Sequence, residues 1–434
     1  MKITLFKGIL FGVFGLAALI GLFVFATHTG TKGSGTTTGT VVIWGTLPGD
    51  AMQAALTAIT KEDQAFKEVS YVQKDPLTLP GDLAAAIATG SAPDLVLASQ
   101  ENLLALRRFI VPIPSQTLSP ATFTNTFIGE GRLFAAADGY YGLPFLVDPL
   151  VLFSNRIILS SDGIAKPPAT WEALTGLVPN VAKLTPARQI TRGLIALGAY
   201  DNVRNARGIL SSLFLQTGVP LSSRSASGTL SASLGENAAN NGVSSGEAVL
   251  GFYTQFADPS KISYTWNASL PDSQQAFLAG DLALYIGYAS EARFLKAANP
   301  NLDFGIAPLP QPATARTKSV YGLAYALMIP AGAKNASGAY QIAALLTNSA
   351  KQVAAASATG LAPTVLNELA SAPADPAAAV AYAEALYANG WLSPAPADTD
   401  RIFSGMIGSV IQGRSTLAVA LASAERALSA LLQK

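Results

Sequence analysis

The chain is 434 residues long with a net charge of +1, and only 13% of its residues are charged, about half the usual share. That length allows two or three domains or one large two-lobed unit, and that charge excludes a field able to gather nucleic acid or steer strongly charged ligands. The chain has no cysteine, which excludes disulfides, thiolate metal sites, thiol nucleophiles and lipid attachment through an N-terminal cysteine.

Residues 8–26 carry no charge and have the length a helix needs to cross a bilayer. Lys2 and Lys7 precede them and favour a cytoplasmic N-terminus. Residues 1–26 read as a membrane anchor or an uncleaved signal, with the lipid bilayer as partner of 8–26. A cleaved signal is the competing reading, but Phe25-Ala26-Thr27 is a poor match to a small-residue cleavage site. Residues 27–40 are rich in Gly, Thr and Ser and read as a flexible tether. The remainder, 41–434, is then a folded domain on the extracellular or periplasmic side of a single-pass membrane protein.

That domain opens with a β-rich run at 41–46, a helix over 50–66, a strand at 70–73 and an Ala-rich helix over 81–89 stopped by Gly90. An apolar strand follows at 94–98, of the type buried in a parallel sheet, and then a helix over 101–109. Such alternation predicts an α/β lobe. Strand pieces at 143–144 and 151–155 come next, then a helix opening at Trp171 with Thr170 as its N-cap. Residues 222–246 read as a surface excursion. Helical pattern returns at 245–256 and 272–279, strands at 282–286, 304–307 and 323–329, and Ala-rich helices at 336–357, 376–387 and, with breaks, 401–432. No internal repeat is visible.

His28 is the only histidine and lies in the tether, so neither a Ser–His triad nor a histidine metal site is available. No G-x-S-x-G elbow, P-loop, H-E-x-x-H or D-x-D-x-D-G calcium loop is present. No cofactor, metal or catalytic residue is therefore expected.

Four segments carry a resemblance. These are Ala88-Thr89-Gly90-Ser91-Ala92-Pro93-Asp94-Leu95-Val96, Tyr141-Gly142-Leu143-Pro144 with Leu152-Phe153-Ser154-Asn155-Arg156, Pro167-Pro168-Ala169-Thr170-Trp171-Glu172-Ala173-Leu174, and Phe277-Leu278-Ala279-Gly280-Asp281-Leu282-Ala283. In this order and spacing the chain resembles the bacterial extracellular solute-binding proteins of the family that includes maltose-binding protein. Asp281 stands where that family usually has Lys, and the missing cysteine departs from its lipid-anchored members.

The resemblance implies a bilobed periplasmic-binding-protein-like α/β fold: two lobes, three crossover segments and a ligand cleft. Lobe 1 would take 41–147 plus 325–362, and lobe 2 would take 149–321 plus 364–434. It implies a monomeric ABC-importer component that closes by a hinge motion around a sugar or oligosaccharide and delivers it to a membrane permease. A neutral solute suits the low charge. Peptides, polyols and polyamines stay open, and no nucleic-acid partner is expected.

Several positions match the family's ligand contacts. Thr46 ends the first strand and is either a contact or a turn residue. Glu101 either accepts sugar hydroxyls or is a first-turn helix acid. Asp148 is a charge in an apolar setting at the first crossover, a contact or a hinge cap. Tyr288 and Ser290 follow the 282–286 strand, where the family places an aromatic platform. Tyr321 and Phe403 are stacking rings or core. Trp391 follows Asn389-Gly390 in an expected loop and reads as cleft-facing, whereas Trp44 and Trp171 read as core. Two rival readings remain from the residues alone: a surface glycosidase using Asp148 and Glu101 as paired carboxylates, and a surface adhesion or scaffold protein.

Overall fold

The computed structural model of the protein describes residues 38–218, 220–225, 229–235 and 244–433. The expected anchor at 8–26 and the tether up to residue 37 lie outside them. Among the described residues no helix is long and apolar enough to cross a membrane. The chain divides into two compact units. Unit 1 holds residues up to Val147 and Ala324–Ser371, and unit 2 holds Asp148–Leu323 and Ala372 onward.

In chain order the main elements are β1 (Val41–Gly45), α1 (Gly49–Glu62), β2 (Val69–Gln73), α2 (Leu79–Ala88), β3 (Leu95–Ser99), α3 (Gln100–Leu106) and β4 (Leu143–Asn155). Then come α4 (Trp171–Val181), β5 (Ile190–Ile195), α5 (Ala206–Gln216), α6 (Ser245–Thr254), α7 (Ser273–Ala279), β6 (Leu282–Tyr288), α8 (Glu291–Ala298), β7 (Phe304–Ala307) and β8 (Val320–Met328). The chain ends with α9 (Ala336–Leu346), α10 (Ser349–Thr359), α11 (Pro376–Ala385), α12 (Pro396–Ile411) and α13 (Leu417–Leu432).

In unit 1, β1 lies between β2 and β3 and is parallel to both, with Ile43 opposite Tyr71 on one side and Leu95 on the other. β3 is buried at every position, which is why its sequence is a continuous apolar run rather than an alternating one. The Tyr325–Met328 end of β8 adds to β3 antiparallel. Asp94, just before β3, is buried. Its Oδ2 accepts the Val42 N–H at 3.0 Å and its Oδ1 accepts the Asn335 N–H at 2.9 Å, tying β1 to the start of α9. Gly90 ends the preceding α2 turn with φ +69°, a conformation that glycine adopts without a Cβ penalty. The Thr-Gly-…-Pro-Asp motif is thus a helix stop followed by a two-armed backbone clamp.

In unit 2, β4 pairs antiparallel with β6 and β7, and β6 pairs parallel with β5. The buried rings of Phe153, Tyr285 and Phe277 and the half-buried ring of Phe304 cluster beside this sheet, with centroids 5.6–6.4 Å apart. Each such pair contributes about 0.5–1.5 kcal/mol beyond its burial. Thr170 caps α4 as expected, accepting the Ala173 N–H at 3.2 Å. Trp171 is buried, and its indole N–H donates to Gln216 at 2.6 Å.

Several expected boundaries differ. The two strand pieces around Asp148 are one thirteen-residue strand, β4, buried throughout. The helix expected over 336–357 is two, because Asn348 accepts the Ala350 N–H and caps a second start. The run expected over 401–432 begins at Pro396 and breaks at Gly413 (φ +66°), with Thr416 capping α13. Helices α5 and α8 and strand β5 were not expected. Within 222–246, the described parts include a short antiparallel pair, Ser222–Arg224 with Leu230–Ala232.

Candidate functional site

Unit 2 has a cavity of about 370 Å³ whose lining includes Tyr200, Asp201, Asn205, Arg207, Tyr288 and Asp400. Three stretches supply these groups: the loop into α5, the end of β6, and α12. Asn205 holds the chain in the left-handed region (φ 62°) as it enters α5, a conformation Asn tolerates better than most residues. Its amide donates to Glu291 at 2.7 Å. Glu291 also accepts from Gln274 at 2.6 Å, from the Tyr285 hydroxyl, and from the Tyr288 N–H at 2.9 Å. This carboxylate therefore fixes Asn205 and Tyr288 together. Burial and the Glu291 charge push the Tyr285 phenol well above its ordinary value.

Asp400, on α12, accepts from two cavity residues. The Tyr200 hydroxyl donates to its Oδ1 at 2.6 Å and Arg207 Nη1 donates to its Oδ2. One turn further along α12, the Ser404 hydroxyl donates to Asp201 at 2.8 Å. Gly208, also in the lining, is close-packed: a Cβ added there would lie 2.8 Å from the Tyr288 hydroxyl and 3.2 Å from both Leu150 and Tyr321. The cavity thus brings two carboxylates, one guanidinium and two tyrosines to a single concave surface. Chemically, such a set offers directional hydrogen-bond acceptors and donors to a small polar molecule.

The residues singled out from sequence fall into four groups. Tyr288 lines the cavity. Asp148 and Ser290 meet each other instead, the Ser290 N–H donating to Oδ1 at 3.0 Å and its hydroxyl to Oδ2 at 2.5 Å. Burial raises the Asp148 carboxyl to about 7, against the pull of these bonds. Tyr321, Trp391 and Phe403 are buried in unit 2. The Trp391 indole donates to the Ser211 hydroxyl at 3.0 Å, and its ring stacks on Phe403 with centroids 6.3 Å apart. The Tyr321 N–H donates to the neighbouring Ser212 at 2.8 Å. Trp391 is therefore not an exposed loop ring as expected: consecutive serines on α5 take up its N–H and the Tyr321 backbone.

Thr46 and Glu101 belong to unit 1. Thr46 follows β1, its N–H bonded to the Leu97 carbonyl at 3.0 Å, and its buried hydroxyl has no hydrogen-bond partner among the described residues. Glu101 sits in the first turn of α3 and is 6% exposed. Beside it is Glu130, 2% exposed, both of whose carboxyl oxygens lack a partner among the described residues. Burial, with the Glu101 charge adding, raises the Glu130 carboxyl to about 8, so it holds a proton at neutral pH. Trp44, expected in the core, is half-buried and has the Lys74 ammonium 3.9 Å from its ring centroid.

Sequence reasoning missed Tyr200, Asp201, Arg207, Asp400 and Glu130. The polar run Asp201-Asn202-Val203-Arg204-Asn205-Ala206-Arg207 between apolar segments was the available signal for the first three. Asp400 escaped because the last helices were expected to begin one residue after it. Among the described residues no group of three or more His, Cys, Asp or Glu could hold a metal ion.

With two α/β units, three chain passages between them and a polar cavity in place, family membership follows. The chain belongs to the bacterial extracellular solute-binding proteins, whose sequence profile matches residues 54–384. That family binds solutes rather than transforming them. In structure the chain is similar to a cyclo/maltodextrin-binding protein complexed with maltotetraose (TM-score 0.70, 16% identity, covering 93% of this chain and 99% of that one). It is similar to the cyclic alpha-maltosyl-1,6-maltose binding protein from Arthrobacter globiformis (0.72, 15%, 91% and 99%). A third similar structure is the Thermus thermophilus maltotriose binding protein (0.63, 18%, 90% and 99%). These likenesses establish the periplasmic-binding-protein fold. No curated relative matches the chain in sequence.

Proposed function

We propose that this protein captures a neutral sugar or a related polyol outside the cell and passes it to an ABC-type permease, with residues 8–26 holding it at the membrane. The observation that carries the ligand class is the lining of the unit 2 cavity, where Asp201, Asp400, Arg207 and Tyr288 surround a space suited to hydroxyl groups. Carboxylates accept hydrogen bonds from sugar hydroxyls, a guanidinium donates to hydroxyl oxygens, and a tyrosine hydroxyl can do either. The names of structural relatives that bind maltodextrins point the same way. The chain's net charge of +1 gives no bias toward anionic solutes.

Thr46, Glu101 and Tyr288 are the contact residues carried into this reading, the first two from unit 1. Asp148 and Ser290 are bonded to each other just before α8, two residues after Tyr288, and so hold the backbone that carries it. The test is isothermal titration of the purified protein against a panel of mono- and oligosaccharides and polyols. Saturable binding without product formation supports the reading. Silence across the panel, or turnover of a glycoside, overturns it. Membrane attachment is tested separately, by asking whether deletion of residues 1–26 moves the protein from the membrane fraction to the supernatant.

A further inference from the structure

We propose that the unit 2 cavity seats one terminal sugar ring through the Asp400 and Asp201 carboxylates, so that this protein selects short sugars and gains little affinity from a longer chain. The inference rests on the sugar-binding reading above and narrows it to a ligand class.

Three observations carry it. The first is capacity. At about 370 Å³ the cavity lies near the lower end of the roughly 300–1,000 Å³ range of small-molecule sites. It has room for one ring and part of a second.

The second is the kind of anchor. Asp400 spends one bond on each oxygen, to Tyr200 and to Arg207, and a carboxylate accepts about four. Its side chain is 44% exposed. Asp201 is exposed and accepts from Ser404 on one oxygen. Two carboxylates with remaining acceptor capacity, one already held in place by Arg207 and Tyr200, suit a pair of adjacent hydroxyls on one ring. Bonds to an ionised carboxylate are shorter and stronger than neutral ones, so a ring that places two hydroxyls on these groups is favoured over one that cannot.

The third is what a longer chain would need. Successive sugar rings gain affinity from successive aromatic faces. Tyr321, Trp391 and Phe403, the rings nearest such a role by sequence, are all buried, and Trp391 and Phe403 face each other. In unit 1, one face of Trp44 is occupied by the Lys74 ammonium. A row of open aromatic platforms is not assembled from these residues.

The test is calorimetry on the whole protein with glucose, mannose and galactose, each followed by its di-, tri- and tetrasaccharides. For the series that binds, the expected result is a Kd that changes less than threefold from disaccharide to tetrasaccharide. Asp400→Asn should weaken the monosaccharide at least tenfold. Asp201→Asn, at an exposed position, should weaken it severalfold with no shift in the thermal midpoint, which separates loss of contact from loss of fold. Tightening of tenfold or more with each added ring, or wild-type affinity in both variants, overturns the inference while leaving the sugar-binding function intact. Absence of binding by every sugar overturns that function and this inference with it.

Discussion

Asp148 accepts two hydrogen bonds from the same residue, the backbone N–H and the hydroxyl of Ser290, at 3.0 and 2.5 Å. A buried carboxyl in an apolar strand would be strongly disfavoured without partners. Both bonds favour the ionised form, yet burial still leaves the group at about 7. Ser290→Ala removes the hydroxyl bond and keeps the backbone one. It should cost about 1 kcal/mol of stability and move the Asp148 titration midpoint upward from about 7, since an interaction with the charged form is lost. Carboxyl ¹³C shifts followed against pH measure that midpoint. A downward or absent shift would mean that the hydroxyl does not act on Asp148.

Glu130 governs a different pH dependence. Its carboxyl rises from 4.5 to about 8 in the folded protein, so between those values the folded state holds a proton that the unfolded state has released. Stability therefore falls as pH rises through that window and levels off above it. Asp148 and Glu384, both raised to about 7 by burial, slope in the same direction. Glu130→Gln keeps the shape without the ionisation. The variant should show a shallower decline between pH 5 and pH 8.5 in urea unfolding, with the difference from wild type growing toward high pH to a few kcal/mol. Parallel curves would show that Glu130 is ionised in the folded protein across this range.

Trp391 and Phe403 test whether burial or position decides a ring's role. Trp391→Phe loses the indole bond to Ser211 and some ring volume, and should cost about 1–3 kcal/mol. Because the two rings stack at 6.3 Å, the double variant with Phe403→Leu should be less destabilised than the sum, by about 0.5–1.5 kcal/mol. Sugar affinity should stay within twofold of wild type in both single variants, read by calorimetry. A tenfold loss of affinity without loss of stability would return these residues to the binding surface.

The sequence exposed what depends on near neighbours. Thr170 caps a helix three residues away, Gly90 stops one, and β3 is a buried strand because its five residues are apolar; each was legible locally. Family motifs reached further, because the Pro-Asp pair before β3 marks a clamp whose second arm, Asn335, lies 241 residues on. The cavity was not legible. Arg207 and Asp400 are 193 residues apart, and neither sits in a motif. Trp391 follows Asn-Gly, a turn signal, yet its indole is bonded 180 residues upstream. Local pattern gives an element's type and ends. Which polar groups converge depends on tertiary packing, and a single charged residue in a helix shows no periodic mark of it.

Gly208 separates stability from binding within one position. It lies inside α5, where alanine is the better helix former by about 1 kcal/mol. An added Cβ would stand 2.8 Å from the Tyr288 hydroxyl, at the far end of a side chain that can shift. Gly208→Ala should therefore leave the thermal midpoint nearly unchanged, with helix propensity offsetting the crowding. It should displace the Tyr288 hydroxyl from the cavity wall and weaken sugar binding about tenfold, or about 1.4 kcal/mol. Tyr288→Phe supplies the control, because it removes the atom that the new methyl would meet. In that background Gly208→Ala should cost much less affinity than in wild type, since the displaced group is already gone. Equal losses in both backgrounds would place the effect in Leu150 or Tyr321, each 3.2 Å from the added carbon, and would remove Tyr288 from the binding surface.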